Sequence, residues 1–274
     1  IFTRFNKISS FLFLYTGYYK DTFCLGYFIS DHKIYFIKIF RFKKNIELEF
    51  KNLLLAKKIF FKYFDLPKIV FKNNHVLCYD FIDKNKYFNN EILEKKLISS
   101  CKFSFIKYKK KIKFTEYINI KTFHRIDKFG CKKDNYLKFL TLKKNKKKIE
   151  VCLGHGDFTS WNFFINNKNK KISLVDFERL NYDVVYSDFF HYKTQNIIIK
   201  KRIIDIKNHL NLINEKLNLS LDKLNILFFL YNLKQLEYDL ISYYEKKFRN
   251  HQLISLIKNR IYLIENMDTN LINN

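Results

Sequence analysis

The sequence predicts an α+β fold in two lobes, and three observations lead there. The first third is a series of short aromatic and β-branched runs. The remainder is dominated by long stretches with apolar residues at helical spacing. One hairpin with polar residues at its open end interrupts that helical part.

The elements follow in order. "FLFLYTGYY", "TFCLGYFIS" and "KIYFIKIF", within residues 11 to 40, read as strands separated by turn signals. The opening "ISSFLFLYTGYY" lacks a small-residue cleavage site and is short, so it reads as a first strand and not a leader. "NIELEFKNLLLAKKIFFKYF", residues 45 to 64, predicts a helix capped by Asn45, with acids early, lysines later and Pro67 just past its end. "KIVFKNN" and "HVLCYDFI" predict a hairpin turning at Asn73 and Asn74. From about residue 84 the pattern is mostly helical. "FFINN" and "KISLVDF" are the exceptions, two short strands around "NNKNKK". After residue 193 amphipathic helix runs to the end, with "NILFFLYNLKQLEYDLISYY" and "HQLISLIKNRIYLIENM" the clearest segments. The lobes expected are residues 1–83 and 84–274, with a hinge near 80 to 84 and a cleft between them.

Composition bounds the class. With 274 residues, 47% hydrophobic and 19% aromatic, the chain buries a core without difficulty. A formal charge of +26 invites a nucleic-acid reading. Only seven of the 52 basic residues are Arg, however, and Lys, Asn, Ile, Phe and Tyr are abundant together while Pro (1) and Gly (5) are scarce. AT-rich codon usage accounts for that pattern, and nucleic-acid readers favour the planar guanidinium. No specific nucleic-acid partner is expected. A weak, salt-sensitive association with RNA or an anionic membrane surface stays open. The five cysteines are odd in number and scattered, with no CxxC, so free thiols in a cytoplasmic, reducing setting fit them best. No apolar run is long enough to span a membrane.

The chemistry gathers in "GHGDFTSWNFF", residues 154 to 164, and "LVDFER", residues 174 to 179. A hairpin brings its two open ends together, so Asn162, entering the first strand, and Asp176, leaving the second, share one mouth. An amide oxygen beside a carboxylate makes an all-oxygen site suited to Mg²⁺. Asp157 lies five residues before Asn162, where it can face that site and accept a proton from a hydroxyl. The D-x-x-x-x-N spacing followed by a second Asp is that of a kinase catalytic loop. Such a loop requires a lysine and a glutamate from the first third. Lys38 sits within the apolar strand face Ile34, Phe36, Lys38, Phe40, and a lysine there needs an anionic partner. Glu49 shares a helical stripe with Ile46, Leu53, Ala56 and Phe60, so it points inward, whereas Glu47 among Lys43, Lys44 and Lys51 faces solvent.

"HGDFTSWN", "LVDFE" and "YSDFFHY" together resemble the aminoglycoside phosphotransferase and choline kinase-like family of small-molecule kinases. The resemblance is strongest over residues 153 to 192 and is correctly ordered from about 11 to 265. It implies a two-lobed protein-kinase-like fold, with a nucleotide-binding first lobe and a catalytic, substrate-binding second lobe. It implies that Asp157 is the catalytic base, that Asn162 and Asp176 bind Mg²⁺, that His155 organises the loop and that Asp188 supports it. It also implies that Lys38 and Glu49 hold the phosphates of ATP or GTP, and that the backbone from Tyr79 to Phe81 meets the base. Glu178 stands where protein kinases carry glycine, which favours a small-molecule hydroxyl acceptor. The acceptor stays open among aminoglycosides, choline or ethanolamine, sugars and envelope-glycan precursors. The phosphate loop should fall in "LYTGYYKDTFCLGYF", but only Gly17 and Gly26 are present, so the full glycine fingerprint is missing. Two other classes remain: a nucleotide-binding pseudokinase, and a basic RNA- or membrane-associating protein. Glu237 and Asp239 could meet a cationic acceptor, though a solvated helix face is the preferred reading. His75, His124, Arg125 and His191 have no constellation around them in the sequence.

Overall fold

The computed structural model describes residues 8–14, 22–30, 32–80, 90–130, 148–166, 171–200, 203–245 and 249–267. The chain forms two compact units. One comprises Ile1–Lys96 with Ser160–Leu180, the other Leu97–Thr159 with Asn181–Asn274.

In the first unit, strands β1 (Ile8–Leu14), β2 (Thr22–Ser30), β3 (Lys33–Phe40), β4 (Ile69–Lys72) and β5 (Val76–Asp80) form an antiparallel sheet in the order β1-β2-β3-β5-β4. The first strand begins earlier than "FLFLYTGYY" suggests; residues 15 to 21, with Gly17, lie outside the described residues, as does the expected hinge beyond Asp80. The β4–β5 hairpin turns where expected. Its device is the Asn73 side chain, whose oxygen accepts the backbone N–H groups of His75 and Val76, both at 2.8 Å. Phe28, Tyr35, Ile37, Val76 and Cys78 bury one face of the sheet, with the Phe28 and Tyr35 rings stacked at 5.1 Å.

Helix α1 (Lys43–Phe60) starts two residues before Asn45. Lys43 and Lys44 are good helix formers and propagate the helix back to Phe42, whose extended backbone makes the cap without a side-chain hydrogen bond. Asn45 is therefore inside the first turn, with its backbone N–H on the Phe42 carbonyl at 3.1 Å. The expected inward stripe forms: Ile46, Glu49, Leu53, Ala56 and Phe60 are all buried. A second hairpin in this unit pairs β8 (Phe163–Asn166) with β9 (Lys171–Leu174).

In the second unit, β6 (Lys110–Lys113), β7 (Lys148–Gly154) and β10 (Asn181–Asp183) make an antiparallel sheet in the order β10-β7-β6 that the sequence pattern did not suggest. The helices here are α3 (Phe114–Tyr117), α4 (Ile120–Lys128), α5 (Ser187–Lys200), α6 (Ile206–Leu217), α7 (Leu221–Tyr244) and α8 (His251–Glu265); α2 (Asn90–Tyr108) begins in the first unit and ends in the second. Asn119, Asp205, Ser220 and Asn250 cap α4, α6, α7 and α8 through side-chain oxygens. Helix α7 buries residues on most sides, including Phe228, Phe229, Tyr231, Leu233, Leu236 and Leu240, so it is the centre of this core. Phe190 of α5 meets Phe228 edge-on at 5.4 Å.

Candidate active site

Lys38 and Glu49 meet. The Lys38 ammonium lies 2.9 Å from Glu49 Oε1, 2.9 Å from Asp176 Oδ1 and 3.0 Å from Glu178 Oε1. The lysine and Glu49 are buried, while Asp176 and Glu178 are partly exposed. Burial pulls the Lys38 pKa down, but Asp176, Glu49 and Glu178 outweigh it, and the group stays charged well above the usual lysine range. For Glu49 the balance runs the other way: burial pushes its carboxyl up to about 7 against the pull of Lys38. Geometry gives the reason. Oε1 takes both Lys38 and the Tyr79 hydroxyl, the latter at 2.7 Å, while Oε2 is buried without a hydrogen-bond partner. The side chain of Tyr79 thus supports Glu49, a contact the sequence did not suggest. Phe81 lies outside the described residues.

The hairpin places Asn162 and Asp176 as its pairing requires. Phe163 opposes Leu174, and the Val175 N–H donates to the Asn162 carbonyl at 2.9 Å, so Asp176 follows directly on the residue bonded to Asn162. Asp176 has φ +66°, a left-handed conformation that Asp tolerates better than most side chains and that still costs about 1–3 kcal/mol. The surroundings hold it there. The Asn52 amide of α1 donates to the Phe177 carbonyl at 2.9 Å, and Asp65 pairs with β9 through Ile172 and Leu174 at 2.8 and 2.9 Å.

In the second unit, β7 runs into the turn His155–Gly156–Asp157. Asp188, early in α5, accepts the N–H of His155 at 2.8 Å with one carboxylate oxygen and that of Gly156 at 3.0 Å with the other. It binds the turn and not its own helix end. Two glycines permit this. Gly156 has φ +80°, and a Cβ on Gly154 would stand 3.2 Å from Asp188 Oδ2 and from Ser187 Oγ. His155 is fully buried, and its Nδ1 accepts the Asp157 N–H at 3.3 Å. The Asp157 carboxylate is mostly buried and lies 3.1 Å from Nε2 of His191.

His191 is therefore a residue that sequence reasoning passed over. A signal was available: it lies three residues after Asp188 on one helix, so both side chains share a face. Glu237 and Asp239 need correcting. Neither faces solvent. Glu237 is buried and accepts the Asn119 N–H at 2.6 Å, the Thr122 hydroxyl at 2.9 Å and the Lys234 ammonium. Asp239 accepts the Nε–H of the fully buried Arg260 at 2.8 Å. Both are committed to internal partners.

No protein-family model matches the chain, and no curated protein matches it by sequence. Solved structures match it along most of its length. A Haemophilus somnus protein described as a candidate fructosamine-3-kinase shares 16% identity over 94% of this chain and 92% of its own, at a TM-score of 0.62. The choline kinase LicA of Streptococcus pneumoniae shares 12% over 94% and 93%, at 0.56. A macrolide 2′-phosphotransferase of type I shares 10% over 93% and 92%, at 0.59. The chain has the fold of these proteins. The α+β kinase-like architecture expected from its motifs is thereby established, with an antiparallel sheet and one long helix at the start and helices predominating later.

Proposed function

We propose that the chain is a small-molecule kinase that moves the γ-phosphate of ATP or GTP to a hydroxyl group. The observation that carries this reading is Lys38, a buried lysine held at 2.9 Å by a helix glutamate and by the aspartate leaving the hairpin. A lysine in that setting stays charged and presents a cation to phosphate oxygens. Lys38 and Glu49 form the phosphate-binding pair, and the backbone from Tyr79 to Phe81 meets the base, within a nucleotide lobe of residues 1–83. Residues 84–274 supply the catalytic and acceptor-binding lobe.

Asn162 and Asp176 present only oxygen donors, at adjoining positions of one hairpin mouth, and that donor set fits Mg²⁺. When bound there, the ion would neutralise phosphate charge. Asp157 orients the acceptor hydroxyl and takes its proton. His155 and Asp188 hold the turn that carries Asp157, through the hydrogen bonds to residues 155 to 157.

The solved structures it resembles are described as a candidate fructosamine-3-kinase, a choline kinase and a macrolide 2′-phosphotransferase, which supports a small-molecule acceptor. A cationic acceptor is not held by Glu237 or Asp239, whose charges are already matched inside the protein. Cys78, Cys101 and Cys152 are buried free thiols, which suits a reducing cytoplasm, and no described helix is long and apolar enough to cross a membrane.

The test is Mg²⁺-dependent transfer from ATP and GTP to a panel of aminoglycosides, choline, ethanolamine, hexoses, amino sugars and heptoses, with Asp157→Asn in parallel. Transfer that drops about 10²–10⁴-fold in the variant supports the assignment. Mg-nucleotide binding without transfer to any acceptor favours a pseudokinase, and no nucleotide binding at all removes the site.

A further inference from the structure

We propose that His191 and Tyr231 are positioning residues for Asp157: Tyr231 donates its hydroxyl proton to Nδ1 of His191, which fixes the tautomer whose Nε2–H donates to Asp157 Oδ1. The inference rests on the reading of Asp157 as the base.

The imidazole lies between two partners at equal distance. Nε2 is 3.1 Å from Asp157 Oδ1, and Nδ1 is 3.1 Å from the Tyr231 oxygen. A neutral imidazole carries one N–H, so the role of one nitrogen dictates the role of the other. The phenol decides it. Burial pushes the Tyr231 hydroxyl up to about 12, so it keeps its proton at any ordinary pH. A protonated phenol is a donor, so its proton goes to an acceptor within reach. Two acceptors are within reach. The Thr194 hydroxyl is the more distant at 3.4 Å, and its own proton is on the Phe190 carbonyl at 2.6 Å. Nδ1 of His191 is the nearer. It accepts, and Nε2 is left with the proton.

That proton faces a carboxylate, which when ionised only accepts. The arrangement is buried. His191 is 1% exposed and Tyr231 0%, so water does not compete for either bond. Packing holds the phenol in place: the Tyr231 ring lies 5.7 Å from that of Phe190 on α5 and 6.1 Å from that of Phe228 on its own helix. The direction of the Asp157 carboxylate is thus set by two helices, through α5 (His191) and α7 (Tyr231). A base aimed in this way keeps its lone pair on one line of approach, and loss of aim lowers turnover without weakening nucleotide binding.

The experiment uses the full chain labelled with ¹⁵N-histidine, the His191 resonances being identified by their absence in His191→Gln. Imidazole ¹⁵N NMR at pH 8 should show the Nε2-protonated tautomer in the wild type, and Tyr231→Phe should admit the Nδ1-protonated form. An Nδ1-protonated or doubly protonated ring in the wild type would overturn the assignment. Steady-state phosphate transfer gives the second reading. His191→Ala should lower kcat by about 10- to 100-fold with the nucleotide KM unchanged. His191→Gln, whose amide N–H reaches toward the same oxygen, should recover part of that loss. Equal rates in wild type, Ala and Gln variants would refute a positioning role. Tyr231→Phe keeps the packing and serves where the alanine variant does not fold. A wild type that transfers phosphate to no acceptor would fell the kinase reading, and the tautomer would still decide the hydrogen bond by itself.

Discussion

Asp188→Asn removes one atom's worth of chemistry from the turn below Asp157, and its cost can be worked from two distances. The carboxylate takes the His155 N–H at 2.8 Å on one oxygen and the Gly156 N–H at 3.0 Å on the other. An asparagine keeps one oxygen and turns an NH₂ toward the second N–H. One charge-assisted hydrogen bond is lost, about 1.5–3 kcal/mol, and a buried backbone donor is left unpaired, about 1–3 kcal/mol more. The side chain is 2% exposed and sits 3.2 Å from where a Cβ of Gly154 would stand, so there is no room for a water to repair the loss. The sum is about 2.5–6 kcal/mol. For a chain of this size that corresponds to a fall of roughly 10 °C in Tm. Urea unfolding followed by circular dichroism measures it directly, and phosphate transfer at a temperature where both proteins are folded reports on the turn. A stability loss below about 1 kcal/mol would refute the argument, since it would mean the two N–H groups are satisfied without the carboxylate.

Other outcomes follow from the same structure. Gly156→Ala must hold φ +80° with a Cβ, which should cost about 1–2 kcal/mol in urea unfolding and lower transfer through the displaced Asp157. Arg260→Met leaves Asp239 without its buried partner and should destabilise by about 3–5 kcal/mol, read by the same method. Asp183 predicts a pH effect. Burial raises its carboxyl from 3.8 to about 7, against the Tyr117 hydrogen bond, so the folded state binds the extra proton. Its contribution is present at acid pH and is lost as pH rises from about 4 through about 7. Asp183→Asn should remove that slope, so the stability of the variant relative to wild type should climb over this window and level off above it.

The parts of the site legible in the sequence were those where a charge broke a local rule. Lys38 on an apolar strand face and Glu49 on an apolar helix stripe both demanded a partner, and each met the other. Asn162 and Asp176 were legible because a hairpin dictates which of its residues share an end. What escaped was non-local. Strand β6 is three lysines and one isoleucine, with no alternation to read, and it pairs with β7 across the whole stretch 114–147. Glu237 and Asp239 resembled surface acids because nothing nearby in sequence shows that α4 and α8 supply their donors. His191 was passed over for the same reason: Tyr231, forty residues away, gives the ring its meaning. The start of α1 moved because two lysines with high helix propensity outweighed a good capping side chain at Asn45.

The first unit is not a continuous piece of chain. Asp65 and Asn52 complete their hydrogen bonds only with Ile172, Leu174 and Phe177, residues synthesised a hundred or more positions later. A ribosome that has released the first 96 residues has therefore made the five-stranded sheet and α1 without the β8–β9 hairpin that belongs to the same unit. Strand β7 likewise waits for β10, beyond the hairpin, before its sheet is closed. Neither unit is complete before the other is well begun, so a chain cut at residue 96 separates two segments of the first unit. The nascent chain carries the half-buried cluster around Lys38 unclosed until Asp176 and Glu178 emerge, and that interval is when it is most exposed to aggregation.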